Sequence, residues 1–167
     1  MRRPPSRTDF DGWVAQLGYG SSRPRAKQHL LDSGRPAVGA ICRGLRHEKA
    51  LVRRQCVNLL DHLVDDDSLH ALIAAVDDDD SAVAGRALHA LACDRCKEGE
   101  CRPGEELWVA KALDLLHHAD PDRRAAAIDA LGKVASRRDD VAAALVSVSE
   151  RDADRGLRGM ARHRAGR

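Results

Sequence analysis

Three segments of the chain repeat one arrangement of apolar positions: LVRRQCVNLLDHL (51–63), SAVAGRALHALAC (81–93) and DRRAAAIDALGKV (122–134). Val52, Cys56, Val57 and Leu60 fall on one helical face, as do Val83, Ala87, Leu88 and Leu91, and again Ala127, Ile128 and Leu131. This spacing predicts helices and not strands. Weaker echoes end at Leu31 in RAKQHLLDSG and at Met160 in RGLRGMARH, so the stripe-ending residues stand 29, 31, 40 and 29 positions apart. Each strong helix follows another apolar helix and a polar turn: PAVGAICRGLRHEKA (36–50), DSLHALIAAVDDDDS (67–81) and EELWVAKALDLLHHADPD (105–122). The turns place Asp, Ser and Pro where the next helix needs its N-cap or first residue. The Asp77–Asp80 run is therefore a cap and solvated turn. A calcium loop would need alternating oxygen ligands, a Gly and a distal Glu. The pattern predicts an all-α chain: about five antiparallel helix pairs stacked over residues 9–165 as a right-handed α-solenoid.

Helix, Asp/Pro turn, helix ending in A-L-G is an arrangement that resembles the short bacterial form of the HEAT-repeat family. HADPDRRAAAIDALGKV carries it most fully, through Asp120, Pro121, Arg124, Ala126, Ala127, Leu131 and Gly132. HEKALVRRQCVNLL follows it through Val52, Arg53 and Leu60. DDDDSAVAGRALHAL keeps the turn and the stripe but has Ala84 where the family usually has Arg. The resemblance covers about residues 20–165 and implies the fold. It says little about activity.

Composition narrows the chemistry. Aromatic residues make up 2% of the 167 positions, so the core must be Leu, Ala, Val and Ile packed at close range. No run of 18 apolar residues occurs and no apolar stretch follows the basic N-terminus, which predicts a cytoplasmic protein with reduced thiols. MRRPPSRT offers no core, so residues 1–8 are expected to be disordered. The 23 arginines outnumber the 5 lysines, as in proteins from GC-rich bacteria. Residues 1–27 and 151–167 each carry six basic against two acidic residues, while the whole chain is +2. The middle is therefore −6, the wrong sign for a nucleic-acid-binding body.

The 40-residue interval contains about ten extra residues, CDRCKEGECRPG (93–104). A loop this rich in Gly, Pro and charge cannot order itself by burial. Cys93, Cys96 and Cys101 have the Cys-x2-Cys-x4-Cys spacing that brings thiolates to one tetrahedral Zn²⁺. His89, one helical turn before Cys93, is the expected fourth ligand of a structural zinc site, with His117 and His118 the other candidates. A Cys93–Cys96 redox pair is the competing reading. Cys42 and Cys56 lie on apolar faces and are expected to be small buried thiols.

No phosphate loop, G-x-S-x-G or H-E-x-x-H motif is present, and His62, His70 and His89 read as exposed helix residues. The expectation is a non-catalytic, monomeric protein-interaction module or scaffold. Its contact residues are expected to be Arg53, Arg54, Arg86, Arg123, Arg124 and Trp108, the arginines meeting either turn acids or an acidic ligand. Trp13 and Trp108 are scarce anchors, suited to packing or to a partner contact. HEAT-like folds also occur in alkylpurine DNA glycosylases and in phycobilin lyases. The first reading would need a basic face with aromatics; for the second, nothing beyond the repeat speaks.

Overall fold

A computed structural model describes residues 4–63, 65–93 and 103–166. Ala- and Leu-rich stretches, each closed by a polar turn, form ten α-helices among these residues, and no strand. They follow one another as α1 (Phe10–Gln16), α2 (Arg23–Ser33), α3 (Arg35–Gly44), α4 (Ala50–Leu63) and α5 (Asp66–Ala75). The rest are α6 (Ser81–Ala92), α7 (Val109–Leu115), α8 (Pro121–Gly132), α9 (Asp139–Arg151) and α10 (Arg155–Arg164). Consecutive helices pair, giving the five-unit solenoid. The second helices, α2, α4, α6, α8 and α10, stack each on the next, and each first helix covers its own partner.

Asp caps the start of half of the ten helices. Asp9, Asp80, Asp120 and Asp154 each accept from a backbone N–H of the following first turn. Asp65 and Ser68 cap α5 reciprocally, with 2.9 Å bonds in both directions. Between α2 and α3 there is room for a single residue, Gly34, whose φ of 61° lies in the left-handed region.

One apolar core runs from Trp13 to Ala161. Leu60, Leu91 and Leu131 are buried within it, as the stripe requires. At the two ends the register differs from the expected one. In the first unit it is Leu30, not Leu31, that is fully buried; in the last, Met160 is only partly buried. The segment 4–8 meets the first unit through two carbonyls. The Trp13 indole N–H donates to the Ser6 carbonyl at 2.9 Å, and His29 Nε2 meets the Arg7 carbonyl at 2.9 Å while its ring lies 4.5 Å from that of Trp13. Residues 1–3 lie outside the described residues.

The turns are tied by a recurring arginine. Arg53 donates through Nη1 to the carbonyl six residues before it, His47 (3.0 Å), Arg124 to His118 (2.9 Å) and Arg158 to Asp152 (2.6 Å). Arg23 does the same through Nε to Leu17 at 2.9 Å. Two of these guanidinium groups also reach the acid of the next turn. Arg53 forks onto both oxygens of Asp78 at 2.7 Å, and Arg124 onto Asp152 at 2.8 and 3.1 Å. At α6 the equivalent position is Ala84. There Arg123 of the next unit donates to the Asp78 carbonyl instead, and Ser81 binds Asp120. The residue that opens each turn plays a second part. His47, Asp78, His118 and Asp152 all accept, through a side-chain atom, the backbone N–H two residues on, at 2.8–3.0 Å. The two histidines thus accept at Nδ1 as an aspartate would.

Three outcomes follow for stability. A Cβ at Gly44 would stand 2.5 Å from Cys56 Sγ and 2.6 Å from Val14 Cγ1, whereas one at Gly39 in the same helix would meet nothing nearer than Arg43 Nη1 at 3.7 Å. Chemical denaturation should show Gly44→Ala destabilised by about 1–3 kcal/mol. Gly39→Ala should be neutral or stabilising by up to about 1 kcal/mol. Leu131→Ala should cost about 2–5 kcal/mol by the same measurement. The third outcome concerns acid. Burial pushes the Asp78 carboxyl up, but the Arg53 fork and the Asp80 N–H bring it below its ordinary 3.8. A carboxyl depressed in the folded state stabilises above its unfolded value, and that stability is lost as pH falls through the lower, folded one. Melting temperature should therefore drop as pH is taken below about 4, and Asp78→Asn should lower it at neutral pH and flatten the acid limb.

Candidate functional site

The second helices expose one polar stripe. On α4 it comprises Arg54, Asn58 and Asp61, spaced at helical intervals; on α6 it comprises Arg86 and His89. Arg86 Nη1 donates to Asn58 Oδ1 at 3.2 Å, which fixes the register of these two neighbouring helices. Three residues further along each helix stand Asp61 and His89. On α8 the stripe continues through Asp129, which holds Arg164 of α10. The Lys133 ammonium acts electrostatically on His89 from the same side.

This stripe decides the fate of the expected contact residues. Arg53 and Arg124 are committed to the turns, their side chains 17% and 14% exposed. Arg123 is spent on the Asp78 carbonyl. Trp108, 3% exposed, belongs to the core and is not available as a surface anchor. Arg54 and Arg86 remain: neither has an ion pair among the described residues, and both lie on the exposed stripe.

The expected zinc ligands divide. Cys96 and Cys101 lie outside the described residues, while His89 and Cys93 are one helical turn apart at the end of α6. Cys93 is the C-cap, with φ −78° and ψ 125°, and is buried at 8% exposure. Their donor atoms meet a carboxylate oxygen of Asp61, and all three lie within 4.8 Å of one another. Partial burial of the ring, aided by Lys133, holds the His89 imidazole below its usual range, against the opposing pull of Asp61 and Asp129. His89 is thus neutral near pH 7 and able to donate a lone pair. Asp61 escaped the sequence because it is remote from the cysteines. The available signal was its offset from His89, which equals that between Asn58 and Arg86. His117 and His118 end the following unit, and His118 Nδ1 is occupied by the Asp120 N–H. Cys56 is fully buried, and burial pushes its thiol up to about 12, with the Cys42 thiol adding to the effect. It is an inert core residue.

No helix among the described residues is long and apolar enough to cross a membrane. No protein-family model and no curated protein matches the chain. Solved structures do match. A chain in the complex of CpcE and CpcF of phycocyanin lyase from Nostoc sp. PCC7120 superposes with a TM-score of 0.74 at 20% identity, over 93% of this chain and 96% of that one. An engineered protein superposes with a TM-score of 0.57 at 22% identity, over 98% of this chain and 75% of that one. At these identities the likeness is one of fold. The expectation of a chain without enzymatic function is overturned by the first of them. The neighbour comes from a lyase, so a non-catalytic role cannot be read from this architecture. What the chain shares with the first of these structures is an all-helical solenoid fold.

Proposed function

We propose that this chain is a protein-binding helical-repeat module that pairs, as one half of a two-chain assembly, with a second helical protein. The observation that carries the reading is the near full-length match to a chain solved as a complex, CpcE with CpcF. Because that complex belongs to a lyase, catalysis is to be sought in the pair. The stripe on the second helices supplies the contact surface. Arg54 and Arg86 offer guanidinium groups without acidic partners, and Asp61, Asp129 and Lys133 give the mixed charge that selects a folded protein surface by complementarity.

The DNA glycosylase reading has no comparable support. The exposed large apolar side chains among the described residues are Tyr19 and Leu107, and Lys49 lies 5.2 Å from the centre of the Tyr19 ring. Neither belongs to the stripe, and the stripe mixes acids with its arginines. A lesion pocket needs stacking groups on a basic face.

Affinity capture from the native host, with cross-linking and mass spectrometry, tests the pairing. A helical partner at one-to-one stoichiometry, cross-linked to α4 and α6, is the expected result. Arg54→Glu with Arg86→Glu should weaken the purified pair at least tenfold, or about 1.4 kcal/mol, with unchanged far-UV circular dichroism. Undiminished binding by the double variant would remove the stripe from the interface. Recovery of the chain alone would remove the pairing.

A further inference from the structure

Several acids among the described residues sit in ion pairs. Asp77 holds Lys111, Asp78 holds Arg53, Asp129 holds Arg164 and Asp152 holds Arg124. Asp61 Oδ1 is buried and has no hydrogen-bond partner. An orphaned buried carboxylate oxygen calls for a cation. A carboxylate oxygen of Asp61 lies close to a nitrogen of His89 and the sulfur of Cys93, with all three donors within 4.8 Å of one another. No hydrogen bond joins any two of them among the described residues.

We propose that Asp61, His89 and Cys93 form a binding site for a divalent transition-metal ion of the zinc class. The donor set is one carboxylate, one imidazole and one thiolate, the mixture that zinc accepts. Zn–O and Zn–N bonds of about 2.1 Å and a Zn–S bond of about 2.3 Å separate tetrahedral donors by about 3.4–3.6 Å, which fits within the observed span. Cys93 binds as the thiolate and releases its proton to solvent. Carboxylate and thiolate together then balance the 2+ charge. Placement favours the site. His89 and Cys93 stand one turn apart on α6, so their donors lie on the same face, and Asp61 comes from the adjacent α4. The ion would pin two neighbouring units at the point where the chain leaves the repeat for its extra segment. This differs from a site built on the thiols of Cys96 and Cys101, because Asp61 is essential and those two cysteines are not.

The separating experiment uses the full chain carrying Cys96→Ser and Cys101→Ser, purified under reducing conditions with Zn²⁺ and analysed for metal. Close to one zinc per chain is expected, and cobalt in its place should show a sulfur-to-metal charge-transfer band. Adding Asp61→Asn, His89→Ala or Cys93→Ser should each lower zinc affinity by at least tenfold, and Cys93→Ser should abolish the cobalt band. A chain that loses its zinc on Cys96→Ser and Cys101→Ser alone, or that keeps it on Asp61→Asn, overturns the proposal. Thermal melting guards against a folding defect. Without metal, Asp61→Asn should be at least as stable as its parent, since a neutral amide replaces an unpaired buried carboxylate oxygen. With metal, the parent alone should gain in melting temperature. A metal-free Asp61→Asn chain that melts lower would mean that the carboxylate already has a protein partner, which also sinks the site. None of these readouts depends on the protein-pairing proposal.

Discussion

Each helix pair in this solenoid is joined by a turn whose carbonyls have no helical partner, and an arginine side chain supplies one. An arginine six residues on turns back to the turn, as Arg23, Arg53, Arg124 and Arg158 do. Burying an unpaired carbonyl would cost about 1–3 kcal/mol, so this bond sets the angle at which a second helix can leave its turn. The planar fork leaves Nε and Nη2 free for the neighbouring unit. Arg53 and Arg124 use them on Asp78 and Asp152, and one residue thereby closes its own turn and fixes the next. With almost no aromatics, the core gains its area from small apolar side chains at close range. Gly44 shows how close: a methyl there would overlap Cys56 and Val14. Packing this tight tolerates little error in helix angle, which is why the turn bonds matter.

The ladder breaks at one place. Ala84 cannot donate, and His118 replaces the acid of the following turn. Arg123 and Ser81 reconnect the units by different atoms. The same helix, α6, carries the other departure from the repeat at its far end, where His89 and Cys93 face Asp61 and the extra residues begin. A unit that has lost its shared ion pair at one end and faces its neighbour's unpartnered carboxylate oxygen at the other is the place where an added cation would do most for the stack.

The middle of the fold was legible because one stripe recurs in the same register over three units, closing on Leu60, Leu91 and Leu131, and because Leu59, beside Leu60, is buried with it. At the ends that condition fails. Leu30 and Leu31 adjoin, and a one-residue slip leaves the stripe looking the same while moving the buried side chain. The arginines posed a similar difficulty, since Arg123 and Arg124 are adjacent and chemically identical, yet one closes its own turn and the other serves the unit before it. His89 and Cys93 were found because they sit four apart on one helix. Asp61 lies on another, and placing it needs the register between helices, which is not local information. The Pro4–Thr8 segment is held by its carbonyls and not by its side chains, so its composition gave no sign of the Trp13 and His29 bonds.

Sequence motifs suggested a scaffold because none of the usual catalytic constellations appears. That inference assumes catalysis lies within one chain. A curved helical surface contributes to a reaction by holding a partner or a substrate against it, and the neighbouring lyase is a complex of two chains. In such an arrangement the residues that matter are those the fold does not consume. Arg53, Arg123 and Arg124 are consumed by turns and Trp108 by the core. Arg54 is not, and Arg86 spends only one N–H, on Asn58; both lie beside the Asp61–His89–Cys93 cluster on the same two helices. A partner seated on this stripe would cover guanidinium groups and the cluster together, so occupancy of one surface would be sensed at the other.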